Sequence, residues 1–307
     1  MNNKLNIRQT LLLYLKGMAM GTADSVPGVS GGTIAFISGI YDELLASIGA
    51  FTPSLLPILI QKGGIAKVWK QVNGNFLVVL GAGILSSLVL FAGLVVNLLE
   101  TRYSYLMCFF SGLIIASVYF VGRQVPVWST REGILLTAGA ALSVLLSLLT
   151  PFSGLDNPLY YFCCGAVAIC AMILPGISGA FILLLLGAYE PVLAALGNFE
   201  LQTILVFAAG CGCGLLVFSR ILAWLLRNHR APALAMLLGI LTGSLYTLWP
   251  WRNPVSSTMG PSFTDAVSGE SLSVTLCFIL AAGGLILVLA LEQLGNKSKG
   301  KSNSSAS

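Results

Sequence analysis

Two short stretches hold the residues best suited to chemistry. "DSVPGVSGG" (24–32) and "PGISG" (175–179) each place a serine and glycines directly after a Pro-Gly pair. Proline removes a backbone donor and clashes with the preceding helical turn, so Pro27 and Pro175 read as helix breaks. A new helix starting at Ser30 or Ser178 presents N–H groups that lack intrahelical partners. Gly28, Gly31 and Gly32, and Gly176 and Gly179, would let an oxyanion come close to that backbone. Hydroxyls of Ser25, Ser30, Thr33 and Ser178 add donors, Thr33 in the first stretch alone. Binding a phosphate or carboxylate is the chemistry this pattern suits. The plainer alternative is that the serines only N-cap their own helices.

Residues 28–32, "GVSGG", also fit the G-x-S-x-G elbow of serine hydrolases. That motif needs a preceding strand and a histidine to activate the serine. The sole histidine, His229, lies between Arg227 and Arg230 in a loop, and no strand pattern precedes the glycines. A hydrolase, histidine-based phosphatase chemistry and an imidazole metal site are therefore all disfavoured. No enzyme, no metal and no cofactor is expected. A lipid-modifying enzyme lacks a base.

Charges within apolar sequence are few, and such residues are functional candidates by default. Asp24 precedes Pro27 by three residues, and Met172 stands at the matching place before Pro175, so the two tips are not equivalent. Asp24 is the candidate for proton coupling. Arg220 can grip phosphate through a two-pronged guanidinium contact. For Arg220 and Lys16 alike, the alternative is snorkelling to the interface. Asp42, Glu43 and Glu190 read as ordinary interfacial charges.

These tips need elements to hold them, and composition says what kind. Of 307 residues 56% are hydrophobic and 9% charged, with a mean hydropathy of +0.90. Soluble domains carry about 25% charged residues. Residues 76–99, 103–122, 133–150, 201–219, 232–249 and 271–291 hold no charge. Each approaches the ~20 residues that cross ~30 Å of hydrocarbon as a helix. The expected fold is an all-α polytopic membrane protein with six full spans. The apolar stretch before Lys16 is too short for a signal peptide. All seven cysteines lie in apolar segments, where packing is the expected role, Cys211-Gly-Cys213 included, rather than disulfides or a redox pair. Residues 295–307 are basic, polar and expected to be disordered.

Two segments do not fit as spans. Residues 157–189 form an uncharged run of 33 with Pro175-Gly176 near its middle, and residues 10–49 resemble it around Pro27-Gly28. Each is either one kinked span or a re-entrant hairpin. With re-entrant hairpins and a cytoplasmic N-terminus, twelve of the sixteen Lys and Arg fall on the cytoplasmic side, near Arg8, Lys67, Arg123, Arg227 and the tail. Single spans would split them nearly evenly, so the positive-inside rule favours the hairpins. "SGLIIASVY" (111–119) and "LGILTGSLY" (238–246) extend the repeat to a hairpin and two spans. The expected layout is one transporter domain, 1–294. Repeat 1 covers about 8–125, a linking span 132–150, repeat 2 about 156–250 and a last span 271–294. Three crossings between the hairpins invert the second copy, so the tips enter from opposite sides. That is the architecture of alternating-access transporters.

"KGMAMGTADSVPGVSGGTIAFISGIYDELL" (16–45) and "LPGISGAFILLLLGAYE" (174–190) resemble the signature of the PopT family of bacterial polyprenyl-phosphate transporters, and the likeness covers nearly the whole chain. The resemblance implies two re-entrant hairpins. The implied activity is return of undecaprenyl phosphate, the lipid carrier of cell-wall precursors, from the outer to the inner leaflet of the cytoplasmic membrane. Asp24 to Thr33 and Pro175 to Gly179 are the positions it carries over. The expected partners are the polyprenyl phosphate, the bilayer and a coupling ion, proton first and sodium second. A homo-oligomer is allowed, and nucleic acid is not expected. Both termini would be cytoplasmic in a multi-pass inner-membrane protein. The rival reading is a secondary transporter of a small soluble anion.

Overall fold

The computed structural model describes residues 7–25, 30–149, 154–155, 157–252, 264–265, 267 and 271–304. Pro27 and Gly28 lie outside them. The described chain is helical, without a strand beyond one isolated bridge between Thr264 and Ser271.

A first group comprises α1 (Ile7–Asp24), α2 (Gly31–Ile37) and α3 (Tyr41–Gly49). After a 3₁₀ turn come the short α4 (Leu56–Leu59) and α5 (Gly64–Gln71). Three long helices follow: α6 (Gly74–Thr101), α7 (Tyr103–Gly122) and α8 (Thr130–Leu148). A second group has α9 (Pro158–Ile173), α10 (Gly179–Leu185) and α11 (Tyr189–Gly197). It leads to α12 (Leu201–Asn228), α13 (Arg230–Thr247) and α14 (Val274–Ser304). Helix α14 runs over most of the basic stretch expected to be disordered.

Among the described residues four helices are long and apolar enough to cross a membrane: α6, α7, α8 and α12. The pair α10 and α11 would add a fifth as one broken span, but it is bent by 106°. Of the other two expected spans, the apolar part of α14, Val274–Ala290, is shorter, and α13 opens on Arg230. Outward faces are apolar too: Val89 and Leu85 on α6 and Leu205 and Ile221 on α12 are exposed. A helix apolar all round needs lipid or protein on every side.

Helix bounds recur along the chain. Those of α2 and α3 return 148 positions later in α10 and α11, and those of α6 return 127 positions later in α12. The shift between the two offsets is the stretch holding α4 and α5, which the second group lacks. The third long helix takes part as well: α8 packs on α13, and α14 on α7. Small residues permit these contacts. A Cβ on Gly239 of α13 would lie 2.1 Å from the Leu136 carbonyl oxygen of α8, and one on Gly112 of α7 would lie 1.9 Å from that of Ala281 on α14. Within each group α1 packs on α6, and α9 on α12. Met107, Leu113 and Ile114 of α7 and Leu234 and Leu241 of α13 are almost fully enclosed, so these two helices form the centre.

Local signals explain the ends. Ser129 and Glu132 form a capping box at α8. Asn157 caps α9, with Pro158 in its first turn. Leu174, before Pro175, is extended at ψ 129°, the conformation a following proline imposes, and α9 stops there.

Candidate functional site

The residues around the two helix breaks meet at one buried place. Ser30 is the N-cap of α2, and its Oγ accepts from the Gly32 N–H at 3.1 Å. The same hydroxyl donates to the Met172 carbonyl at 2.7 Å, in the last turn of α9, where carbonyls have no partner within the helix. Tyr41 donates its phenolic O–H to the next carbonyl, Ile173, at 3.1 Å. In return the Gly176 N–H donates to Thr33 Oγ1 at 3.0 Å. Ser30 and Thr33 are fully buried. Gly32 is needed for this approach, since a Cβ there would sit 2.4 Å from the Ile173 carbonyl oxygen.

Asp24 closes the site from the end of α1. Its Oδ1 accepts from the Gly31 N–H, the first of α2, at 2.6 Å. The next two amides of α2 are also engaged, Gly32 by the Ser30 hydroxyl and Thr33 by the Ser30 carbonyl at 2.9 Å. A carboxylate belonging to the chain itself therefore stands where the glycine spacing would admit an external oxyanion. Ser25 turns back, donating to the Gly21 carbonyl at 3.0 Å. Across the site, Ser178 caps α10 by accepting from the Phe181 N–H at 3.4 Å. Gly176 has a φ of +88°, a left-handed turn, and a Cβ there would lie 2.9 Å from Leu241 Cα. Gly179 lies as close to α9, its Cβ falling 2.8 Å from the Ala168 carbonyl oxygen.

Asp24, Ser30, Gly31, Gly32, Thr33, Pro175, Gly176, Ser178 and Gly179 are thus brought to facing tips. Arg220 is not. It lies at the far end of α3, where its Nε donates to the Gly49 carbonyl at 3.1 Å and its Nη2 to Phe51. There it lines a separate cavity of about 500 Å³ with Asp42, Arg227 and Arg230. Lys16 does not reach outward for its partner either: its Nζ donates to the Ser38 carbonyl at the end of α2, at 2.7 Å. Both cations cap helix C-termini, where carbonyls and the dipole favour positive charge.

Three contributors to the site were not singled out by sequence reasoning: the Met172 and Ile173 carbonyls and the Tyr41 hydroxyl. Of these, Tyr41 alone carries a sequence signal, since Tyr189 stands 148 positions later at the matching place of the second stretch. Among the described residues no cluster of His, Cys, Asp or Glu could hold a metal ion, and the seven thiols are free.

A family described as undecaprenyl phosphate translocase-like matches residues 20–265, which include both tips. The polyprenyl-phosphate transporter of Vibrio cholerae serotype O1 is 42% identical over 301 residues, covering 94% of this chain and 97% of that one. The polyprenyl-phosphate transporter of Staphylococcus aureus is 32% identical over 255 residues, covering 77% and 85%. No solved structure matches the chain.

Proposed function

This chain belongs to the undecaprenyl phosphate translocase-like family, and we propose that it is a transporter of polyprenyl phosphate, the cargo for which both relatives are named. In this reading the cargo is undecaprenyl phosphate, moved from the outer to the inner leaflet of a bacterial cytoplasmic membrane, where it re-enters cell-wall and surface-polysaccharide synthesis. The observation that carries the reading is the buried meeting of the two tips, with Asp24 on the first amide of α2.

Non-helical backbone deep in a bilayer persists only where protein or a polar cavity satisfies it. Here hydroxyls of the first tip satisfy the backbone of the second, and Asp24 and Ser30 hold the first tip's own amides, so these groups can exchange partners with an incoming anion. The phosphate takes the Gly31 amide in place of the Asp24 carboxylate, and the hydroxyls of Ser30 and Ser178 turn to it from opposite sides. Thr33 and the glycines at 32, 176 and 179 complete the cradle. By their place in the sequence Ser25, Pro27 and Gly28 are assigned to the same site. The prenyl chain stays in lipid throughout.

Asp24 ties this exchange to a proton. A neutral carboxyl accepts a weaker hydrogen bond than a carboxylate, so protonation releases the Gly31 amide as the dianion arrives. The recurrence of helix bounds supports a repeat, and counting the hairpins as re-entrant and six helices as full spans puts three crossings between the copies and inverts the second. Both termini are then cytoplasmic, and the tips open alternately to the two sides.

The test uses purified protein in liposomes and compares leaflet-to-leaflet movement of a polyprenyl phosphate with uptake of a soluble anion. Lipid movement that depends on the protein is the expected result. Uptake of the soluble anion with no lipid movement would overturn the reading.

A further inference from the structure

The cavity at the far end of α3 has no part in the tip chemistry, and its charge is distinctive. Its walls are α3, the last turns of α12 and the start of α13, and it measures about 500 Å³. Three guanidinium groups, from Arg220, Arg227 and Arg230, face one carboxylate, Asp42. Arg230 Nη1 lies 3.3 Å from Asp42 Oδ2, with the two side chains 46% and 61% exposed. An ion pair that open to solvent is weak and readily exchanged. Arg227 spends its Nε on the Ala223 carbonyl of its own helix at 3.3 Å, and among the described residues its Nη groups have no partner. Arg220 is held in place by the Gly49 and Phe51 carbonyls.

The recurrence of helix bounds provides an internal control. At the offset of 127 that relates α12 to α6, Arg220, Arg227 and Arg230 correspond to Gly93, Glu100 and Tyr103. At the offset of 148 that relates α11 to α3, Asp42 corresponds to Glu190. The packing therefore does not require arginine at these places, since its counterpart builds the same helices with glycine, glutamate and tyrosine. One end of the molecule has a basic pocket, and the related end has no arginine at the four equivalent positions and glutamate at two of them, Glu100 and Glu190.

We propose that this pocket binds a phosphate monoester, with Arg227 and Arg230 as the gripping groups and Asp42 as the carboxylate it displaces. Arginine suits the task because its planar fork matches two phosphate oxygens at once and stays charged at any relevant pH. The cavity has room for a phosphate group and its remaining water. The proposal rests on the reading of the chain as a carrier of a lipid phosphate, for which the pocket is a holding site on the side where the basic loops gather. The phosphate can reach it on a lipid through the bilayer or as the free ion from water.

The experiment uses the full chain in nanodiscs of phosphatidylcholine and has two arms. One follows a polyprenyl phosphate in the disc by native mass spectrometry, and the other titrates inorganic phosphate by calorimetry. Removing charge-assisted hydrogen bonds in Arg227→Gln/Arg230→Gln should weaken binding by about tenfold or more. Asp42→Asn should tighten it several-fold, a gain that a damaged fold would not give. Arginine-dependent binding in the lipid arm, the phosphate arm or both supports the pocket, and the arm that responds identifies the source. Wild-type affinity in both variants overturns it, as does no binding in either arm. Lipid movement in liposomes is measured separately, so the pocket and the transport reading fail independently.

Discussion

The backbone N–H of Gly176 donates to Thr33 Oγ1 at 3.0 Å, joining residues 143 positions apart. The Ser30 and Tyr41 hydroxyls donate the opposite way, to Met172 and Ile173. Side chains of the first tip thus satisfy the backbone groups that the second leaves open where its helix breaks. Parting the tips breaks all three bonds in a place that water does not reach, so the clasp sets the cost of any movement between them.

Thr33→Val keeps the side chain's shape but leaves the Gly176 N–H without its acceptor. An unsatisfied buried donor costs about 1–3 kcal/mol. The purified variant should melt at a lower temperature in detergent, while Thr33→Ser should stay close to wild type. Equal melting of Thr33→Val and wild type would show that the clasp contributes little.

Asp24→Asn holds the residue permanently neutral. If protonation of Asp24 frees the Gly31 amide, wild-type transport rises as pH falls through the titration of that carboxyl. The asparagine variant should give a flat profile over the same range. Liposome transport measured as a function of pH distinguishes the two, and an unchanged slope in the variant rejects coupling through Asp24.

Lys16 and Arg220 are expected to behave as internal caps. Lys16→Met removes the donor from the Ser38 carbonyl, and Arg220→Lys can serve only one of the two carbonyls at Gly49 and Phe51. Each should lose about 1.5–3 kcal/mol of stability, the usual net worth of a hydrogen bond to a charged group. Snorkelling makes the opposite forecast for Arg220→Lys, because lysine reaches an interface equally well. Thermal melting of the two variants in a common detergent decides between them.

The inverted arrangement proposed for the hairpins predicts a labelling pattern. In a background without the seven native cysteines, a cysteine at Lys62 should be shielded from an impermeant thiol reagent added outside intact cells. One at Asn198 should react. External labelling at position 62 rejects the topology.

Much of this was legible in the sequence because Pro-Gly pairs disrupt helices whatever surrounds them, and two of them in matching contexts define the breaks. The serines after them are N-caps, as their type and place suggest. Less legible was a second bend in each group, between α2 and α3 and between α10 and α11. It turns on Gly39 and Gly187, at φ +73° and +64°. Each glycine lies in a continuous apolar run, so hydropathy passes over it without a change. Arg220 was grouped with the tips because guanidinium suits phosphate, but type alone does not fix distance, and α3 carries the chain away from the tips before Arg220 meets it. The contacts of α8 and α14 were also hidden, since small residues such as Gly139 and Gly284 permit a close neighbour without specifying which one.

Those last contacts have a consequence for how the protein is assembled. Helix α8 follows the first group in the chain but lies against α13, and α14 follows the second group but lies against α7. Each half lends its final helix to the other, as two hands clasp with crossed thumbs. A half made alone would leave the Gly139 face of α8 without its neighbour and the buried stripe of α7 uncovered. Two halves severed between α8 and α9 and produced together should find one another and reconstitute the whole, whereas neither should persist by itself. In the proposed cycle such an exchange would also hold the frame shut while the hairpins work inside it, so the moving parts need not be those that keep the molecule in one piece.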